Sequence, residues 1–325
     1  VSLPAAGPHG ADGRLVAAAL GLDPGAVLDL SLSLNPFAPD PTPVVRRHLD
    51  AGALGRYPDR ADLDRATGAV AAAMGLEPAR VLLTNGGAEA IALVAQELGR
   101  GWVDEPDFSL YARHLPVTER GAPRFRSDPH NPSGRLADPT ARAEVWDEAF
   151  YPLATGRWTA PGRVERSVVL GSLTKVLACP GLRVGYLAVP ADDGADLGVP
   201  GLRDRLARRQ PAWSVGPLAL AAVPELLERA EPGRWCSAVA DARRALVEVL
   251  RAHGFDPAPS DVNFVLVPGA AGLRAALARE GVVVRDCTSF GLPDHVRIAV
   301  PDDPGRARLD EALSRCATTT SRGGS

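Results

Sequence analysis

The chain has 325 residues, enough for one large or two medium domains, and 46% of them are hydrophobic, which supplies ample core. A formal net charge of −3 gives no electrostatic reason to expect a nucleic acid or an anionic membrane as partner. The four cysteines, Cys179, Cys236, Cys287 and Cys316, lie far apart with no C-x-x-C pair. That argues against a metal site or a disulfide framework and suits a reducing cytoplasm.

Residues 1–40 are too broken by Pro and Gly to form a core alone and are expected to pack on a smaller domain or across a cleft. The apolar run Leu15–Leu22 is short and has no basic region before it, so it reads as neither signal peptide nor membrane span. Residues 41–215 alternate short apolar runs with helical patterns. Strands are expected at Val81–Thr84, Gly101–Glu105, Arg124–Asp128, Ala143–Asp147, Ser167–Gly171 and Val184–Val189, with a helix over Ala88–Leu98. Such βαβ alternation predicts an α/β domain with a mostly parallel sheet. Residues 216–316 change character. A long helical stretch from Pro217 to His253, broken near Pro232–Gly233, leads into strands at Val262–Val267, Val282–Arg285 and Val296–Ala299 and helices at Ala271–Glu280 and Gly305–Cys316. That describes a smaller α+β domain. The polar residues 317–325 read as a disordered tail.

Several positions carry chemistry. Gly86, Gly87 and Ala88 stand where a strand meets a helix. Small residues there either make a tight turn or let backbone N–H groups approach an anion at the helix start. Phe108 follows a strand end, where its ring reads as core or as a platform for a flat cofactor. Asn131, within Asn131-Pro132-Ser133-Gly134, is turn chemistry with an amide that can donate to a phenolate oxygen. His130 and His114 read as bystanders. Asp147 closes a strand at its carboxyl end, where α/β proteins bind ligands. It reads as a helix-capping or surface acid, or as the partner of a pyridine nitrogen. Glu148 should point away and serve structure. Arg297 lies inside an apolar strand, suited to an internal ion pair or to a substrate carboxylate.

Lys175 decides between these readings. It is the only lysine in the chain, every other cationic side chain except histidine being arginine. Lysine can lose its proton in a dry pocket and attack a carbonyl to form an imine, which arginine cannot do. Ser172, Thr174 and Arg183 around it are groups suited to a phosphate. A phosphate and an imine-forming lysine together point to pyridoxal 5′-phosphate (PLP).

In this order, Gly-Gly-Ala, Phe, Asn-Pro-Ser-Gly, Asp-Glu-Ala-Phe, Ser-x-Thr-Lys with Arg eight residues later, and Arg-Ile-Ala-Val resemble the fold-type-I PLP enzymes of aminotransferase class I/II. Within that family the chain looks like the branch shared by histidinol-phosphate aminotransferase and the threonine-phosphate decarboxylase of cobalamin biosynthesis. Arg285-Asp286-Cys287-Thr288-Ser289-Phe290 also resembles a segment of that branch. The resemblance implies an aspartate aminotransferase-like fold and a homodimer with sites at the interface. It implies that Lys175 holds the cofactor as a Schiff base and shuttles protons. Asp147 would pair with the pyridine nitrogen, Asn131 with the ring oxygen, and Phe108 would stack on the ring. Gly86, Gly87, Ala88, Ser172, Thr174 and Arg183 would hold the phosphate, joined by Tyr57 from the neighbouring subunit, and Arg297 would take the substrate carboxylate.

Pro8-His9-Gly10, Ser33-Leu34-Asn35-Pro36 and Gln210-Pro211-Ala212-Trp213-Ser214-Val215 resemble segments of the decarboxylase, and Phe150 is compatible with it. On that resemblance His9, Gly10 and Asn35 would contact the substrate. Ala11, Ser33 and Gly216 depart from the decarboxylase pattern. The stretches from Phe108 to Asn131 and from Asn131 to Asp147 are shorter than the family norm, so at least one strand–helix unit of the large domain is expected to be missing. The first functional expectation is a decarboxylase of a phosphorylated or phosphonate amino acid. The alternatives are a histidinol-phosphate-type aminotransferase and a non-catalytic PLP-binding protein.

Overall fold

The computed structural model describes residues 3–7, 9–191 and 197–322, with side chains of the last helix described to residue 316. Pro8 of the Pro8-His9-Gly10 motif and residues 323–325 of the expected tail therefore lie outside the described residues. The chain opens with α1 (Gly13–Leu20), which is the short apolar run folded as a helix and closed by Gly21 at φ 67°. β1 (Leu28–Leu30), α2 (Thr42–Asp50) and α3 (Arg60–Met74) follow. Asp59 caps α3 by accepting from the Asp62 N–H.

The middle of the chain builds one sheet from β2 (Val81–Asn85), β3 (Arg100–Val103), β4 (Val117–Thr118), β5 (Arg124–Ser127), β6 (Val145–Asp147), β7 (Val168–Ser172) and β8 (Val184–Ala188). Its order is β2-β8-β7-β6-β5-β3-β4. β4, β3, β5, β6 and β7 run parallel, and β8 is antiparallel to both of its neighbours. Every residue of β7 is buried, which is why that strand reads as an unbroken apolar run. α4 (Gly86–Leu98) covers one face through Ile91, Val94 and Ala95.

The expected loss of a strand–helix unit takes a different form. Among the described residues the large sheet has seven strands, and the helices that follow β3 and β6 are short. α5 (Leu110–His114) and α6 (Tyr151–Thr155) are five residues each, and β5 reaches β6 through residues 128–144 without a helix. β4 is two exposed residues, too short to leave an alternation signal in the sequence.

After the single turn α7 (Leu173–Val176), α8 (Leu202–Arg209) and α9 (Pro217–Glu228) close the large sheet's surroundings. The boundary expected at residue 216 falls at the start of α9, whose Leu220 and Val223 are buried in the core shared with α3 and β7. α10 (Pro232–Ala252) begins at the predicted break, with proline where a helix start tolerates it. The last segment adds β9 (Phe264–Val267), α11 (Leu273–Arg279), β10 (Val282–Asp286), β11 (Val296–Ala299) and α12 (Asp303–Arg322). β1 joins these strands in a second sheet of order β1-β10-β11-β9, pairing parallel with β10. The N-terminal segment thus contributes a strand to the small sheet. The helical backbone of α12 runs on past residue 316 into the stretch read as tail.

Candidate functional site

The carboxyl edge of the large sheet gathers the chemistry. β2 hands over to α4 at Gly86, β3 leads to Phe108, β5 leads to Asn131, β6 ends on Asp147 and β7 ends on Ser172. Parallel strands deliver their loops to one edge, so residues far apart in sequence meet there. Lys175 sits on α7 immediately beyond β7. Its Nζ lies 4.3 Å from the centre of the Phe150 ring. Burial pulls its pKa down from 10.5 to about 8; Asp147 opposes the fall, while Arg297 and Arg183 add to it.

Asp147 is held at both oxygens. The Ala149 N–H donates to Oδ1 and the Tyr111 hydroxyl donates to Oδ2, each at 2.9 Å. Glu148 turns to the other side of the strand, where burial raises its pKa to about 7 and Arg163 bridges it at 2.5 Å. Asn131 is buried, and its Oδ1 accepts from Arg297 Nη1 at 2.5 Å. That contact assigns the amide and turns Nδ2 into the donor on the other side. His130 binds Ser133 and the Pro106 carbonyl, which locks the loop.

A small cradle forms at the start of α4. Gly86 has φ 71°, and a Cβ there would overlap the Arg183 guanidinium. A Cβ on Gly185 would come within 2.5 Å of the Gly86 carbonyl carbon, and one on Gly87 would touch Ser172 Cβ at 3.6 Å. The start of a thirteen-residue helix, Ser172 and a guanidinium therefore come together where Gly86 and Gly185 leave no room for a side chain. Arg183 reaches the cradle from a left-handed backbone, φ 53°. Thr174 is buried beside it and donates to the Val184 carbonyl at 3.5 Å.

The small sheet supplies the facing wall. Arg285 of β10 and Arg297 of β11 are directly opposite in register, and both are buried. Two like charges opposed across strands repel. Burial lowers the pKa of each, that of Arg297 to about 10, with Arg285 adding to the effect. No hydrogen-bond partner for Arg297 Nε is found among the described residues. His9 stands at the mouth, its ring 6.0 Å from Phe108, with a pKa lowered by burial and then by Arg285 and Arg113. Gly10 (φ 77°) passes so close that a Cβ would lie 3.4 Å from Arg285 Cδ.

One expected contact lies elsewhere. Asn35 does not face the cleft with its amide: Nδ2 donates to the Val176 carbonyl and Oδ1 accepts from the Phe37 N–H. Tyr57 is 73% exposed and stacks on Trp213 with ring centres 4.7 Å apart, at the surface of this chain. Tyr111 and Arg285, which the sequence reading gave no role, both belong to the site. The spacing Phe108-x-x-Tyr111 is the signal that could have found the first.

A family model described as aminotransferase class I and II matches residues 125–315. A histidinol-phosphate aminotransferase of Halorubrum lacusprofundi is 32% identical over 90% of this chain and 91% of its own length. Among solved structures, histidinol-phosphate aminotransferase from Sinorhizobium meliloti in complex with PLP superposes with a TM-score of 0.79, at 17% identity over 95% of each chain. L-threonine-O-3-phosphate decarboxylase from Porphyromonas gingivalis gives 0.74 at 20% identity, over 89% of this chain and 99% of the other.

Proposed function

The chain belongs to the aminotransferase class I and II family, and from that premise we propose that it exchanges an amino group between an amino acid and a phosphorylated carbonyl compound, giving a keto acid and a phosphorylated amine of the histidinol-phosphate type, or the reverse. It is an enzyme of the PLP-dependent transferase kind, and its site residues fit the cofactor. The cradle suits a phosphate, and the buried lysine suits an aldehyde. The decarboxylase that the sequence ranked first moves to second place. Its similarity is to a structure at 20% identity, which speaks for the fold alone, whereas the sequence relatives carry aminotransferase names.

When bound, PLP supplies an aldehyde for the amino group and a ring that takes up the electrons released at Cα. The protein does the rest. Gly86, Gly87, Ala88, Ser172, Thr174 and Arg183 would hold the phosphate, and Phe108 would pack on the ring. Asn131 Nδ2 would donate to the ring oxygen, and Asp147 would keep a proton on the pyridine nitrogen. Lys175, with its pKa near 8, has an unprotonated fraction at neutral pH and can carry a proton from Cα and return it. Tyr57 is presented outward with Trp213, as suits a residue given to a second copy in a homodimer. Four cysteines with no C-x-x-C pair among them suit a cytoplasmic setting.

The observation that carries the substrate class is the opposed pair Arg285 and Arg297. Histidinol phosphate has no carboxylate, so a site serving it and an amino acid in turn needs cations for a phosphate and for a carboxylate. His9 and Gly10 close the Arg285 end. The test is turnover of histidinol phosphate with 2-oxoglutarate, set against CO2 release from threonine phosphate without an acceptor. Keto-acid-dependent turnover supports the reading, and CO2 release alone moves it to the decarboxylase. Arg285→Ala should raise KM for the phosphorylated amine at least about tenfold, the loss of a charge-assisted hydrogen bond. An unchanged KM would remove Arg285 from the phosphate end.

A further inference from the structure

Tyr111 is the buried polar group that the functional reading leaves unexplained. It stands on α5, 1% exposed, with its ring edge-on to Phe108 at 5.8 Å and 6.1 Å from Phe125. Its hydroxyl donates to Asp147 Oδ2. The other oxygen of Asp147 is tied to the Ala149 N–H, so the carboxylate cannot swing. We propose that Tyr111 is a positioning residue for Asp147: its hydroxyl aims the carboxylate at the pyridine nitrogen, so that a proton shared between them stays on the nitrogen. This inference rests on the PLP reading.

The physical argument has two parts. A hydrogen bond to the ionised form of a carboxylate stabilises that form and makes it a poorer proton acceptor. The donor must also stay a donor. Burial, then Asp147 and Asp107, hold the Tyr111 hydroxyl well above its ordinary pKa of 10.0, so it does not ionise in the working range. Of the other charged or titratable groups, Asp107 before α5 acts on Tyr111, Lys175 on α7 and Tyr186 on β8 face Asp147, and Arg183 and Arg297 act on Lys175. Asp107 is already engaged by Ser127, through both its N–H and its hydroxyl. Tyr111→Phe leaves all of these in place and keeps the ring that Phe108 and Phe125 pack against.

The sign of the effect follows. Without the hydroxyl, Asp147 loses one of its two donors and draws the shared proton off the nitrogen. The ring then carries less positive charge, and the nitrogen joining it to Lys175 holds its own proton to higher pH. The experiment is a pH titration of the visible absorption of the PLP-loaded protein, with kcat and KM measured in parallel. Tyr111→Phe should move the midpoint up by about half a unit or more and lower kcat about tenfold, with KM within about twofold. Placing 3-fluorotyrosine at position 111 keeps the hydroxyl and makes it a stronger donor, so the midpoint should move down. This second variant gives an answer even if Tyr111→Phe misfolds. A visible band in the wild type with the same midpoint in both variants overturns the inference alone. A wild type that takes up no PLP overturns the cofactor reading and this inference with it.

Discussion

A single lysine carries the site, and its burial has a thermodynamic consequence. The Lys175 pKa is about 8 in the fold and 10.5 as the ordinary value, so between them the unfolded chain binds more protons than the folded one. Stability of the apoprotein therefore rises as pH climbs through that window. Relative to Lys175→Met, which cannot ionise, the wild type should gain about 2–3 kcal/mol between pH 8 and 10.5, read from urea midpoints. Parallel pH profiles for the two proteins would show that the ammonium is not held in a dry pocket. At this scale the sequence was informative wherever chemistry selects a residue type, as with Lys175, Asp147 and Asn131. It was silent where a role depends on one contact between distant loops. Tyr111 and Asp147 are 36 positions apart, and nothing local to either says that they meet.

Among the elements, α7 needs outside help. With four residues it cannot satisfy its own carbonyl groups. The Asn35 N–H donates to the Lys175 carbonyl and the Asn35 amide to the Val176 carbonyl, both at 2.9 Å. Asn263, at the start of β9, holds the segment in turn by donating to the Ser33 and Leu34 carbonyls at 3.0 Å. Two asparagines thus connect the small sheet to the turn that bears Lys175. Asn35→Ala should cost about 1–3 kcal/mol in urea unfolding, because it leaves a buried carbonyl unpaired, and should weaken PLP binding as the turn loosens. An unchanged midpoint with unchanged PLP affinity would mean that α7 holds itself. The Asn-Pro motif was visible in the sequence, but its partner lies 141 residues away, so a structural clamp and a substrate contact read alike. Most strands were legible through their buried apolar runs, but β1 and β4, of three and two residues, were too short to leave a pattern. The missing helix between β5 and β6 was not, because a shortened segment does not say whether its strand or its helix has gone.

For the whole molecule, side-chain contacts join the small sheet to the carboxyl edge of the large one. Arg297 of the small sheet reaches Asn131 of the large one, and β1 ties the N-terminal segment to β10. Periodicity and βαβ order sufficed to foresee both sheets, since hydrophobic patterning alone decides which segments can be buried. The strand order β2-β8-β7-β6-β5-β3-β4, with β8 reversed, came from the structure, as pairing partners leave no mark on a strand's own composition. On the proposed reading, what makes this architecture an enzyme is a covalent hold on PLP at one amine, and a chain with a single lysine permits a direct test. The protein is loaded with PLP, reduced with borohydride, digested and mapped by mass spectrometry. Lys175 should carry the added pyridoxyl phosphate mass in the wild type, and Lys175→Ala should carry none. An unmodified Lys175 peptide, or the same label retained elsewhere in Lys175→Ala, would contradict the account.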